Sequence, residues 1–239
     1  MLPAADLYSA LVFARNQGIL GVLSRLYAEL PPAAVPSPDF CRSPAPAALV
    51  EYLNAYRQLK NLPDKQARVL KATAEFYFLE LVDPKQVCPF YEGECLLGPA
   101  RPLFCRALGL LSEEEFAKWE EERVRNLKAV AEHFEKEWGL EIPAAILLPR
   151  PHPDGAGKGR LTLLDLEGYR LQLMELDARI APPDLAYHRF TFLPLATHLA
   201  MTIFNPGIRG KRAEVMRAYL AGSRDLLDKY VKRAQGFRF

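Results

Sequence analysis

Four cysteines are the residues best suited to chemistry in this 239-residue chain: Cys41, Cys88, Cys95 and Cys105. Cys88-Pro-Phe-Tyr-Glu-Gly-Glu-Cys95 is followed, after nine further residues, by Cys105. Thiolates are soft, anionic donors, preferred by zinc and by iron–sulfur clusters. Converging sulfurs need irregular backbone, which Pro84, Pro89, Gly93, Gly98, Pro99 and Pro102 supply in this stretch. Cys41 lies in a second such loop, Pro31 to Pro46, which holds six prolines, and it completes the usual count of four. The spacing lacks the Cys-x-x-Cys knuckle of common zinc sites, and free cysteines also serve as small core residues. Spacing alone supports both readings.

The neighbouring residues add a further signal. Pro89, Phe90, Gly93, Arg101, Pro102 and Arg106 surround Cys88, Cys95 and Cys105 in the order Cys-Pro-Phe, Gly, Cys, Arg-Pro, Cys-Arg. This string resembles the second half of the signature of the CxxCxxCC cysteine-cluster family, described as zinc- or iron-chelating (YkgJ-like) proteins. Glu51-Tyr52-Leu53, in the helical stretch before it, is loosely similar as well. The chain departs from the pattern in its first half. Where the family has several cysteines, this sequence has Phe40-Cys41-Arg42-Ser43-Pro44. With four cysteines in all, the chain can build at most one all-thiolate site. The resemblance implies metal binding through Cys88, Cys95 and Cys105 and leaves iron and zinc open; thiol count adds Cys41, and the spacing leans to an iron–sulfur cluster (4Fe-4S first) with zinc as the alternative. Some members of the family are linked to flagellin lysine N-methylation, which extends the implication to a redox or methyltransferase-related role.

Four thiolates around a metal form a strongly negative centre that needs donors and positive charge around it. Arg101 and Arg106 flank Cys105 and are placed to supply both as cofactor-contacting residues; salt-bridging surface roles are the alternative. The four histidines, His133, His152, His188 and His198, form no H-x-x-x-H or H-E-x-x-H pattern. His152 is the one best placed to replace Cys41. Asp154-Gly-Ala-Gly-Lys158-Gly159-Arg160 lacks the spacing and the Ser/Thr of a phosphate loop and reads as a flexible connector. Glu113–Glu115 and Glu120–Glu122 read as charged helix surface. Phe76, Tyr77 and Phe78 read as core packing, with shielding of a cluster as the second use.

Composition sets the frame. Half of the residues are hydrophobic and a quarter charged, as in an ordinary folded chain, and no run approaches the length of a membrane span. With no secretory signal pattern, the expected compartment is the cytoplasm, where thiols stay reduced and serve as ligands rather than disulfides. The segment 209–239 carries nine Lys/Arg against three Asp/Glu, leaving 22 basic and 26 acidic residues elsewhere. That asymmetry suits an acidic protein partner docked on the C-terminal helix; no membrane is implied, and nucleic acid is a weaker candidate.

Mostly helical elements must position these groups. Apolar spacing predicts helices over 5–30 (weakened at Gly18 and Gly21), 47–61, from Pro63 through Leu81, and 210–234. Ser112 with Glu115 forms a capping box that opens a helix to Trp138, ended by Gly139. Leu161–Leu166 and Tyr169–Leu176, on either side of Glu167-Gly168, read as a β-hairpin; 185–204 is apolar and ambiguous. The expected fold is mainly α, with an irregular cysteine-bearing loop and a small antiparallel β-hairpin insert. It divides into a helical metal-binding region, 1–139, with its loop at 83–106, and a region 140–239 packed with it as one domain. The function read from the sequence is a metal-binding protein with one iron–sulfur cluster or zinc ion. The alternative is a non-catalytic interaction protein, with a structural zinc and a basic C-terminal helix for an acidic partner. Neither reading specifies an enzymatic reaction.

Overall fold

Helical periodicity dominates the computed structural model, which describes residues 4–31, 38–42, 45–153, 159–180 and 192–239. The protein is mainly α, with one two-stranded antiparallel sheet among the described residues. The helices are α1 (Ala4–Asn16), α2 (Ile19–Glu29), α3 (Pro38–Cys41), α4 (Leu49–Lys60), α5 (Pro63–Leu79), α6 (Leu103–Ala107), α7 (Glu113–Trp138), α8 (Leu163–Ile180), α9 (Leu195–Phe204), α10 (Arg212–Leu220) and α11 (Asp225–Gln235). Strand β1 (Pro46–Ala47) pairs with β2 (Leu193–Pro194), setting Pro46 opposite Pro194. Among the described residues, no helix is long and apolar enough to cross a membrane.

Two of the expected long helices are each split in two at a glycine. Gly18 adopts φ +66, a left-handed conformation that ends α1 and starts α2. Gly222, at φ +87, likewise separates α10 from α11. Helix α7 runs as expected: the Ser112 hydroxyl accepts from the Glu115 N–H at 3.2 Å, and Gly139 closes the helix at φ +61. The Glu115 carboxylate accepts from the N–H of Leu163, at the start of α8.

The hairpin expected over Leu161–Leu176 is instead helix α8. Its start is a second capping motif: Thr162 Oγ1 accepts from the Asp165 N–H at 3.1 Å, and Asp165 Oδ2 accepts from the Thr162 N–H at 2.8 Å. A mid-helix glycine at 168 costs about 0.5–1 kcal/mol. Burial of Leu166, Leu173, Leu176 and Ile180 along one face offsets that cost. The small antiparallel pair is formed by β1 and β2, far apart in sequence. Within 185–204, residues 192–204 form β2 and α9 with their approach, while 185–191 lie outside the described residues.

Helix α4 is the hub. Nearly all its side chains are buried, including Glu51 at 0% exposure, and it packs against α1, α2, α5, α8 and α9. Asp177 on α8 accepts from the Leu49 and Val50 N–H groups at 2.9 and 2.7 Å, satisfying first-turn donors of α4. One apolar core gathers α1, α2, α4, α6 and α8; the other joins α5 to α9, α10 and α11. Residues before and after position 139 contribute to both cores. Phe76, Tyr77 and Phe78 are buried, and Phe78 packs against Phe204 and Tyr230.

Candidate metal centre

Residues 80–102 hold their shape through short-range backbone hydrogen bonds and ties to α5. The Tyr91 N–H donates to the Cys88 carbonyl at 2.9 Å, and the Leu96 N–H to the Phe90 carbonyl at 2.8 Å. Gly93, at φ +77, makes the reversal between Cys88 and Cys95. Arg68 on α5 donates to the Pro89 carbonyl at 3.2 Å, and Lys65 pairs with Glu92 at 2.9 Å. The Cys88 N–H donates to the Cys41 carbonyl at 2.8 Å, joining this loop to α3.

Helix α6 carries Cys105 and is held by Glu51. The buried Glu51 carboxylate accepts from Tyr27 Oη at 2.8 Å, the Ala48 N–H at 2.9 Å and the Leu103 N–H at 2.6 Å. A central helix, its N-terminus and α6 are thus fastened by one carboxylate.

These elements bring Cys41, Cys88, Cys95 and Cys105 to the lining of one cavity of about 30 Å³. Phe40, Phe90, Leu97 and Leu195 supply apolar wall, and Arg101 is the charged residue of the lining. The cysteines come from three separate stretches of chain: α3, the loop and α6. Backbone N–H groups lie close to two of the thiols. The Phe90 N–H near Cys88, and the Leu97 and Gly98 N–H groups near Cys95, oppose the rise that burial imposes on those thiols. Such donors stabilise a thiolate and tune a metal centre built on one.

Burial opposes ionisation of the free thiols. It pushes Cys41 up to about 12, with the neighbouring Cys95 adding to the rise and Arg101 opposing it. Burial pushes Cys105 to about 12 as well, again with Cys95 raising and Arg101 lowering it. Cys88 and Cys95 are raised mainly by the same cause. The four groups act on one another electrostatically because they face a common space.

In kind and number, this donor set fits a four-thiolate metal or cluster site. Its geometry is not closed around one ion: among the described residues, no group of three or more His, Cys, Asp or Glu side chains is arranged to hold a metal ion. Sulfurs around one zinc stand about 3.8 Å apart, from a Zn–S distance near 2.3 Å. Holding a metal there would require the cysteine side chains to converge further and to lose their protons.

The two arginines differ in role. Arg101 lines the cavity. Arg106 turns to the backbone, donating to the Arg101 carbonyl at 2.7 Å and the Pro99 carbonyl at 2.8 Å, with its guanidinium 4.7 Å from the Tyr27 ring centre. Arg106 braces the loop rather than lining the cavity.

The sequence reading missed Arg150 and misjudged Glu120. Glu120 is 2% exposed, so it is not the charged surface expected from its run of glutamates. It accepts from Arg123 Nε at 2.9 Å and from the Arg150 backbone N–H at 2.8 Å, and it also holds the Arg150 guanidinium. That guanidinium lies 5.0 Å from the centre of the Phe40 ring, and its charge opposes the upward shift of Cys41. No short-range motif marks a partner thirty positions away.

None of the described histidines lines the cavity. His152 Nε2 meets the Leu111 carbonyl at 3.0 Å. His198, buried, meets the Ala47 carbonyl at 3.1 Å and stacks on Tyr52. His133 packs edge-on against Trp138. His188 lies outside the described residues, as does most of the glycine-lysine stretch, 154–158.

No family model, curated protein or solved structure matches this chain. The likeness to the cysteine-cluster family rests on the motif residues from Cys88 to Arg106.

Proposed function

We propose that this protein holds one metal centre through Cys41, Cys88, Cys95 and Cys105, with an iron–sulfur cluster as the first occupant and zinc as the second. The observation that carries the proposal is the meeting of every cysteine in the chain at one cavity. Arg101, the charged residue of the same lining, adds support, since its charge favours the thiolate form of Cys41, Cys95 and Cys105. Cys88 and Cys95 are too far apart for a zinc ribbon, which places the cluster first and zinc second. A bound cluster would supply one-electron transfer, whereas zinc would pin the loop to α3 and α6. A redox role, or one connected with methyl transfer, follows the motif likeness.

The second reading, a zinc-pinned interaction protein, relies on the basic C-terminal segment. Several of those cations have internal duties. Arg212 pairs with Glu80 at 2.5 Å, Arg224 with Glu75 at 3.1 Å, and Arg217 donates to the Trp138 carbonyl at 2.7 Å. These contacts leave less charge for an acidic partner. Anaerobic purification followed by visible absorption and analysis for iron, sulfide and zinc separates the readings. Iron with sulfide in a brown preparation supports the cluster; one zinc per chain in a colourless preparation supports the structural site.

A further inference from the structure

Helix α3 ends at Cys41, and the last carbonyls of a helix have no partner within it. The Cys41 carbonyl is satisfied from outside, by the Cys88 N–H at 2.8 Å. With ordinary backbone dimensions, that hydrogen bond holds the two Cα atoms within about 6.7 Å of each other. Disulfides span Cα separations of roughly 4.4–6.8 Å, and pairs beyond about 7 Å need backbone movement. Both residues line the same cavity, and both are free thiols.

The neighbours hold this approach in place. Pro89 biases Cys88 toward extended backbone, and the Pro89 carbonyl accepts from Arg68 at 3.2 Å. On the other side, the Arg150 guanidinium, held by Glu120, lies over the ring of Phe40, next to Cys41. Of the other cysteines, Cys41 acts most strongly on the Cys88 thiol. Cys95 is the competing partner for Cys41, since it raises that thiol. Its backbone, however, is bridged to Tyr91 within the loop.

We propose that Cys41 and Cys88 are a redox-active pair, closed to a disulfide by a low-molecular-weight disulfide such as oxidised glutathione. Cys88 is half-buried and Cys41 buried, so Cys88 meets the oxidant first. Its thiol loses a proton and attacks one sulfur of the oxidant. That S–S bond breaks, a mixed disulfide forms, and the other half leaves and is protonated to a thiol. Cys41 then loses its proton and attacks the Cys88 sulfur, forming the Cys41–Cys88 bond and releasing the second thiol. The pair gives up two electrons and two protons, and the oxidant takes them up. The bond removes two of the four thiolates of the centre proposed above, so metal and disulfide exclude each other. This exclusion rests on the metal reading, whereas the bridge does not.

Disulfide mapping of the folded, full chain tests it. The chain is reduced, freed of metal with EDTA, exposed to oxidised glutathione, alkylated and digested for mass spectrometry. The Cys41–Cys88 bridge should be at least about tenfold more abundant than any other pairing, because only sulfurs within reach are joined. In guanidinium chloride, where the fold is lost, pairs nearer in sequence should replace it. Cys95→Ser should leave the bridge intact in the folded chain, and Cys41→Ser should leave Cys88 as a glutathione adduct. Predominance of Cys88–Cys95 or Cys41–Cys95 in the folded parent overturns the proposal. So does a parent that keeps its thiols unreacted, or that stops at the glutathione adduct. Zinc loaded before oxidation should slow closure about tenfold or more, because it binds the reduced form alone. Closure at the unloaded rate with stoichiometric zinc bound overturns the exclusion. No uptake of zinc, or of iron with sulfide, would count against the metal reading and leave the bridge standing.

Discussion

The backbone N–H of Cys88 donates to the carbonyl of Cys41 at 2.8 Å, so two of the four thiol-bearing residues are joined before any metal is considered. The bond ties a proline-rich segment to a loop anchored on α5. Glu51 then fixes the third segment by accepting from the Leu103 N–H at the start of α6. The cysteine cavity is thus framed by these two contacts.

Glu51→Gln should weaken this frame. The amide has one acceptor oxygen for three inward donors and sets its own N–H groups against one of them. A buried mismatch of this kind costs about 1–3 kcal/mol. Each kcal/mol corresponds to roughly 2–4 °C in a chain of this size. Thermal denaturation should show a fall of several degrees; an unchanged midpoint would remove Glu51 from the frame.

Glu120→Gln should cost more. It leaves the Arg150 side chain, 7% exposed, without its carboxylate, and breaking a buried pair in this way costs about 3–5 kcal/mol. Denaturant unfolding measures the difference. A loss below about 1 kcal/mol would place the pair among weak surface bridges.

Arg101 and Arg106 should separate by readout. Arg101→Gln removes the charge at the cavity and should lower metal affinity about 10–100-fold with little change in thermal midpoint. Arg106→Gln releases the loop carbonyls it holds and should lower the midpoint first. Chelator competition and thermal melts, run on both variants, would show the reverse pattern if the roles were exchanged.

Two buried groups give opposite pH dependences. Burial lowers His198 to about 4 from 6.5, so the stability linked to its neutral form is present above 6.5 and lost as pH falls through about 4. Burial raises Asp177 to about 7 from 3.8; its contribution is fullest below 3.8 and is lost as pH rises through about 7. Against His198→Gln, the parent should lose on the order of 2–3 kcal/mol between pH 6.5 and 4. Against Asp177→Asn, it should lose stability between pH 4 and 7. Parallel melting curves across pH for parent and variant would contradict either assignment.

The helices that carry the site were legible because their signals are local. Ser112 with Glu115, Gly139, and Pro63 at a first turn each report on residues within one turn of themselves. The hairpin expected over 161–176 rests on the turn tendency of Glu167-Gly168, which the Thr162–Asp165 cap and the buried leucine face of α8 override. Cys88 and Cys95 share a short loop, whereas Cys105, expected in that loop, stands on α6 just after it. Cys41 was placed beside them by thiol count, and it does line the same cavity. Glu120 and Arg150 were not legible, because a buried glutamate in a run of surface glutamates looks like its neighbours until its distant partner is known.

The central claim is most directly tested by metal and sulfide analysis of the parent and its four single Cys→Ser variants, purified side by side without oxygen. The account predicts a stoichiometric centre in the parent and a loss of about tenfold or more in each variant, since each removes one ligand. A parent without stoichiometric metal would contradict it, as would full metal retention in all four variants.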